Sequence, residues 1–266
     1  MQPLDRLDLA TLGRVRVVFA DIDDTLTTDG RLTAAAYAAL EALQAAGVVV
    51  VPITGRPAGW CDHIARMWPV DAVVGENGAF YFCYDRHARK LLKRFRDDDA
   101  TRAANRARLA AVRDRILAEV PGTALASDQL YREADLAIDW CEDVARLDDA
   151  AVDRIVAIMR AAGMTAKVSS IHVNGWFGAY DKLGMTRTLV RERFAEDLDA
   201  ERDRYLFVGD SPNDAPLFEF FPLSVGVANV RRFASRLEHV PAYVTAAESG
   251  AGFAEVAARL LAARRA

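Results

Sequence analysis

Three short, apolar, largely β-branched runs in this chain each stop abruptly on a polar motif. Residues 15–20 (VRVVFA) lead into Asp21-Ile22-Asp23-Asp24-Thr25, and residues 48–53 (VVVVPI) lead into Thr54-Gly55-Arg56. Residues 205–208 (YLFV) lead into Gly209-Asp210-Ser211-Pro212-Asn213-Asp214. Runs this short and this apolar read as strands buried on both faces, the kind found in parallel sheets. Between the first two, Thr33 as N-cap, Leu40 and Leu43 on one face and Gly47 just past the end predict a helix over 33–46. A further strand is expected at 72–74, before the turn-prone Glu76-Asn77-Gly78, with a helix opening near Pro57. Alternation of strand and helix is the grammar of an α/β core with a parallel sheet, and in such sheets ligands sit beyond the carboxyl ends of the strands. The three motifs are therefore predicted to meet in one pocket.

The grammar then changes. Residues 79–84 and 90–95 read as a hairpin. After them come a helix over 98–119, strands at 123–127 and 135–140, a helix over 148–162 and a hairpin over 166–177. Beyond Asp181 the parallel pattern returns: a helix through Phe194, the strand at 205–208, a short helix after Pro212, a strand at 224–227 and a last helix from Ala251. The predicted architecture is a Rossmann-like α/β core, residues 1–94 plus 181–266, interrupted by an α+β domain over residues 95–180. A chain of 266 residues is long enough for both.

Charge narrows the partners. A formal net charge of −4 and a pI near 5.7 provide no general basic field for a phosphate backbone, so nucleic acid is not an expected partner. No apolar run reaches the length of a membrane span, and the start MQPLDRLDLATLGR lacks a signal-peptide core, so no membrane is expected. Cys61, Cys83 and Cys141 form neither a disulfide framework nor a C-x-x-C site, which makes the cytoplasm the expected compartment. The basic stretch carrying Arg86, Arg89, Lys90, Lys93, Arg94 and Arg96 reads as a solvated hairpin edge, with steering of an anionic substrate as the lesser alternative. The expected partner is a small molecule; the sequence sets no oligomeric state.

Several carboxylates in one pocket raise one another's pKa unless a cation neutralises them. The motifs offer oxygen donors and no His or Cys, which favours Mg²⁺ over zinc. Lys182 and the donors near Thr54 would supply what a phosphoryl group needs. With D-I-D-D-T-L-T, Thr54, Lys182 and G-D-S-P-N-D in this order, the sequence resembles the haloacid dehalogenase-like superfamily of aspartyl phosphatases. The resemblance implies Asp21 as nucleophile and Asp23 as general acid and base. It also implies Mg²⁺ held by the Asp21 and Asp210 carboxylates and the Asp23 carbonyl, with Asp214 in support. Thr54, the Gly55 N–H, Lys182 and Asn213 would hold the phosphoryl oxygens. Asp24 stands where the family often has Gly.

The α+β insert after the third strand resembles the cap of the branch that includes sugar-phosphate phosphatases and phosphomannomutase. The implied function is a Mg²⁺-dependent phosphatase acting on a small phosphorylated metabolite, a sugar phosphate. The same motifs serve a phosphomutase, and a silent sugar-phosphate-binding module is the alternative outside catalysis. Taken alone, Thr54 reads equally well as the N-cap of the helix at Pro57, and Lys182 as a solvated residue at a helix start. In the last cap strand, alternation puts His172, Asn174 and Trp176 on one face and Ile171, Val173 and Phe177 on the other. The second set reads as cap core. The first is expected either to face the pocket and read a sugar's hydroxyls or to pack plainly. Arg56 and Asn77 are candidates from the core, Arg132 and Glu133 weaker ones from the cap, and His63 and His239 belong to no constellation.

Overall fold

In the computed structural model, which describes residues 1–169 and 171–265, Val17–Ala20 runs through the middle of the sheet. It pairs in parallel with Val49–Pro52 on one side and with Tyr205–Gly209 on the other. Beyond Tyr205–Gly209 lie Leu223–Gly226 and the two-residue strand Tyr243–Val244, also parallel. On the opposite edge a parallel bridge from Ile53 to Val74 carries the sheet on to Val73–Gly75. The antiparallel hairpin Phe80–Asp85 and Lys90–Phe95 completes that edge. The chain leaves the central strand toward opposite sides, so Asp21 stands at the point where strand order reverses, the usual ligand crevice of such sheets.

All four residues of Val17–Ala20 are buried because helices cover both faces of the sheet. Val18, Ala20, Val50 and Val208 pack under Ala34–Ala45, Ala58–Met67 and Ser249–Ala263. Val17, Phe19, Val51 and Phe207 pack under Lys182–Leu189 and Ala215–Phe220. The expected caps hold: the Thr33 side chain accepts from the Ala36 N–H, and Gly47 takes φ +72° just past the helix end. The solvated hairpin edge is also present, with Lys93 paired to Asp62 and Arg94 to Glu192.

Residues Asp99–Glu119, Ala124–Leu125, Asp135–Asp139, Asp149–Ala161, Thr165–Val168 and His172–Trp176 form a second unit. Its antiparallel four-stranded sheet has both helices on one face, around Leu136, Ile138, Val173, Ile116 and Ile155. Position 170, which falls within the hairpin expected over 166–177, lies outside the described residues. Several elements depart from the sequence reading. The last helix starts at Ser249 rather than Ala251, and the helix from Lys182 passes at Val190–Phe194 into a π-helical turn. The edge strands Gln2–Pro3 and Tyr243–Val244 and the small hairpin of Thr27–Thr28 and Arg31–Leu32 were not expected, since two-residue strands carry no periodic signal. Among the described residues no helix is long and apolar enough to cross a membrane.

Candidate active site

The three predicted motifs do converge. Asp21 follows the central strand, Thr54 follows Val49–Pro52, and Asp210 and Asp214 follow Tyr205–Gly209, all at the carboxyl edge of the sheet. Ligand oxygens of Asp21, Asp210 and Asp214 lie within 4.8 Å of one another, and all three residues are buried. Lys182 enters from the first turn of its helix, 4% exposed, with Nζ 2.7 Å from Asp21 Oδ1 and 2.9 Å from Asp214 Oδ1. The solvated reading of Lys182 is thus wrong: its ammonium is buried against carboxylates that follow two other strands of the sheet. Both oxygens of Asp214 are engaged, since Oδ2 accepts from the Asp210 N–H at 3.2 Å. Among the described residues nothing donates to Asp21 Oδ2, which leaves that oxygen open for chemistry.

Burial pushes the Asp21 carboxyl up to about 7, with Lys182 pulling against it and Asp214 reinforcing it. Burial, then Asp214 and Asp21, push Asp210 up to about 9. Burial alone would lower the Lys182 ammonium, but Asp21 and Asp214 together hold it above the ordinary lysine range. One lysine against three buried carboxylates leaves the pocket short of positive charge. Hard oxygen donors at this spacing fit a divalent cation, and no sulfur or imidazole is among them.

Thr54 is buried, and its Oγ1 accepts from the Arg56 N–H at 3.0 Å. It is not the helix cap: Pro57 takes that position, without a side-chain cap bond, because the chain makes a tight turn at Gly55-Arg56 first. Arg56 does reach the pocket. Its guanidinium lies over the Trp60 ring and grips the Asp23 carboxylate, with Nη2 2.6 Å from Oδ1 and Nε 3.1 Å from Oδ2. Asn77 is buried beside Gly55, where a Cβ would sit 3.2 Å from Asn77 Oδ1, and its N–H donates to the Thr54 carbonyl. Asn213 lies in the Pro212–Asp214 turn, its Oδ1 accepting from the Ser211 hydroxyl. Asp24 has φ +56°, a left-handed conformation that Gly adopts freely and Asp tolerates, which accounts for the exchange at this position.

Several contributors escaped the sequence reading. Asn229 Nδ2 donates to Asp210 Oδ2 at 3.1 Å and to the Asp24 carbonyl at 3.0 Å, tying two motifs together. Its one available signal is position, in the loop after Leu223–Gly226, at the carboxyl end of another core strand. Thr25 Oγ1 donates to Asp210 Oδ1 at 3.4 Å. Glu76, read only as a turn residue, is completely buried and joins the inserted domain to the core. Its carboxylate accepts from the backbone N–H groups of Ala58, Glu133, Ala134 and Asp135. Beside it Arg132 donates to the Gly55 carbonyl at 3.2 Å while paired with Asp128 and Asp135. Burial and the Asp135 carboxylate raise the Glu76 pKa, against Arg132 and the surrounding N–H groups; a socket of donors on both oxygens fits the carboxylate form. The turn that aims Glu76 also needs Gly78, at φ +102°, where a Cβ would lie 2.0 Å from the Asp181 carbonyl at the cap of the Lys182 helix.

Glu76→Gln would turn an amide against backbone donors. The expected cost is about 3 kcal/mol of stability, with increased protease cleavage near residues 95–98 and 177–181. Denaturant titration and limited proteolysis measure both. A variant as stable and as resistant as the parent would remove Glu76 from this role.

Of the cap candidates, His172, Asn174 and Trp176 are all buried. Asn174 Nδ2 donates to Asp135 Oδ2 at 3.1 Å, His172 Nε2 lies 2.8 Å from Glu142, and Trp176 stacks on Tyr180. Val173 and Phe177 belong to the hydrophobic core of the second unit. Glu133 presents its backbone N–H to Glu76 and its side chain to Arg102 and Arg106.

Gathering three buried carboxylates in one pocket is costly unless a cation neutralises them, and the Asp21, Asp210 and Asp214 oxygens are close enough to hold one. A family model described as haloacid dehalogenase-like hydrolase matches residues 18–105 of the chain. No curated protein sequence matches it significantly. Similar folds are found in a Thermoplasma acidophilum protein, 0175 (TM-score 0.69, 19% identity, covering 93% of this chain and 98% of that one). The sucrose-phosphatase of Synechocystis sp. PCC6803, solved with sucrose and phosphate, is also similar (TM-score 0.63, 16% identity, 92% and 97% covered). So is a trehalose-6-phosphate phosphatase related protein (TM-score 0.63, 14% identity, 94% and 100% covered).

Proposed function

We propose that this protein is a haloacid dehalogenase-like hydrolase, a Mg²⁺-dependent, cytoplasmic phosphatase of a small phosphorylated metabolite, working through an aspartyl-phosphate on Asp21. The observation that carries the reading is the buried constellation of Asp21, Lys182, Asp210 and Asp214 at the switch point of the sheet. Fold-level likeness to sucrose-phosphatase and to the trehalose-6-phosphate phosphatase related protein supports a sugar phosphate as a substrate class. Residues 95–180 act in this reading as the cap over the catalytic core of residues 1–94 plus 181–266.

The open Asp21 oxygen attacks phosphorus while the bond from phosphorus to the ester oxygen breaks, and Asp23 gives the leaving alkoxide its proton. Water then attacks phosphorus with Asp23 taking its proton, the bond to Asp21 breaks, and orthophosphate leaves. Arg56 holds Asp23 at the rim of the pocket, so Asp23 must exchange this guanidinium for the leaving oxygen before it can act. In this reading Lys182, the Thr54 hydroxyl, the Gly55 N–H and Asn213 hold the phosphoryl oxygens. The Asp21 and Asp210 carboxylates and the Asp23 carbonyl would hold Mg²⁺, with Asp214 and Asn229 fixing the ligands. When bound, the ion supplies positive charge to the phosphoryl oxygens as negative charge shifts in the transition state.

The test is phosphate release from hexose, pentose, disaccharide and nucleotide monophosphates, with Mg²⁺ and with EDTA. Release with Mg²⁺, falling at least about 100-fold in EDTA, is the expected result. Isomerised sugar phosphate without free phosphate would establish a mutase instead. Binding without turnover would establish a silent sugar-phosphate-binding module.

A further inference from the structure

The two faces of the cap sheet differ in kind. Leu136, Ile138 and Val173 point into the cap core beneath the two helices. Residues directly opposite in an antiparallel pair share a face. The register therefore places Asp135, Ala137 and Asp139, His172, Asn174 and Trp176, and Thr165 and Lys167 together on the other face. That face looks onto the catalytic end of the core, because Asn174 bonds Asp135, Asp135 is paired with Arg132, and Arg132 donates to the Gly55 carbonyl.

Nearly every charged group on this face is already matched. Asp135 has Arg132, the Asp139 carboxylate accepts from the N–H groups of Cys141, Glu142 and Asp143, and His172 lies against Glu142. Lys167, opposite Asn174, is the exception: it is half-buried and its ammonium makes no hydrogen bond or ion pair among the described residues. It is within electrostatic reach of the catalytic groups, since burial and then Lys182 lower its pKa while Asp181 and Asp214 act in the opposite sense. A half-buried ammonium without a close counter-charge is unfavourable until something anionic arrives.

Building on the phosphatase reading above, we propose that Lys167 binds a second anionic group on the leaving-group side of the substrate. The preferred substrates are then small phosphomonoesters that also carry a carboxylate or a second phosphate. A neutral sugar would offer Lys167 hydroxyls but leave its charge uncompensated, whereas a carboxylate or phosphate forms a charge-assisted hydrogen bond about twice as strong as a neutral one.

The experiment compares kcat/KM for 3-phosphoglycerate and fructose 1,6-bisphosphate with kcat/KM for glucose 6-phosphate and p-nitrophenyl phosphate, in the parent protein, Lys167→Met and Lys167→Arg. The two anionic arms separate carboxylate from second phosphate. The expected parent prefers at least one anionic ester by tenfold or more. In Lys167→Met that ratio falls by about 30-fold, mainly through KM, and Lys167→Arg restores much of it. A ratio that does not move, or an equal loss on all four esters, would overturn the inference while leaving the phosphatase reading in place. Silence of the parent on every ester, p-nitrophenyl phosphate included, would overturn the phosphatase reading and this inference with it.

Discussion

Asp21→Asn is expected to lower phosphate release by at least about 10⁴-fold while leaving the fold intact. The amide nearly matches the carboxylate in size, so the central strand and its neighbours need not move. It has no anionic oxygen to present to phosphorus, and in the proposed mechanism the attacking atom is Oδ2, which no residue engages among the described ones. Stability should move the other way or not at all. Burial has already pushed Asp21 up to about 7, so its charged form is held at a cost, and a neutral isostere relieves the crowding with Asp210 and Asp214. Lys182 keeps Asp214 as its partner. Single-turnover phosphate release and a denaturant titration without divalent ions test the two halves separately. Activity within tenfold of the parent would rule out Asp21 as the nucleophile.

What the sequence made legible here is what short-range pattern controls. The strands at 15–20, 48–53 and 205–208 are continuous apolar runs, and their motifs follow them directly, so both the sheet and the convergence of Asp21, Thr54 and Asp210 could be expected. Contacts made across the sheet edge are a different matter. Lys182 looks like a surface residue on its own helix, and it is the packing of Met185 and Leu189 on the sheet, with the close approach of Asp181 to Gly78, that carries its ammonium between two aspartates. Glu76 reads as turn chemistry because its four backbone donors lie 18 and 57 to 59 residues away. Asn229 belongs to no motif, and its three bonds to Asp24, Asp210 and Ser249 span distant segments. The grip of Arg56 on Asp23 joins two motifs that were each visible alone. Hydrophobic period and turn residues report on the elements. They carry no information on which polar ends of those elements touch.

Lys182→Met is expected to cost about 3–5 kcal/mol in the absence of divalent ions and to lower turnover by about 10³-fold. The thioether fills much of the space of the lysine stem, so the dominant change is loss of the ammonium 2.7 Å from Asp21 and 2.9 Å from Asp214. Breaking a buried pair from one side strands its partners, and here two carboxylates are stranded at once, beside Asp210, which burial already pushes up to about 9. The loss of activity has a separate origin: a phosphoryl group would lose its fixed positive charge, and Asp21 its alignment. Arginine should not restore either, because a planar fork does not fit the point between two carboxylates that a compact ammonium fills. Removing Lys182 also removes a positive charge next to the pocket that Asp21 and Asp210 would use for Mg²⁺. The variant should therefore bind the ion more tightly than the parent and gain more stability from it, even as turnover falls. Denaturant titrations of parent and variant with Mg²⁺ and with EDTA read this directly. A variant destabilised equally in both conditions would show that Lys182 and the cation site are electrostatically independent, against the geometry of a shared cluster.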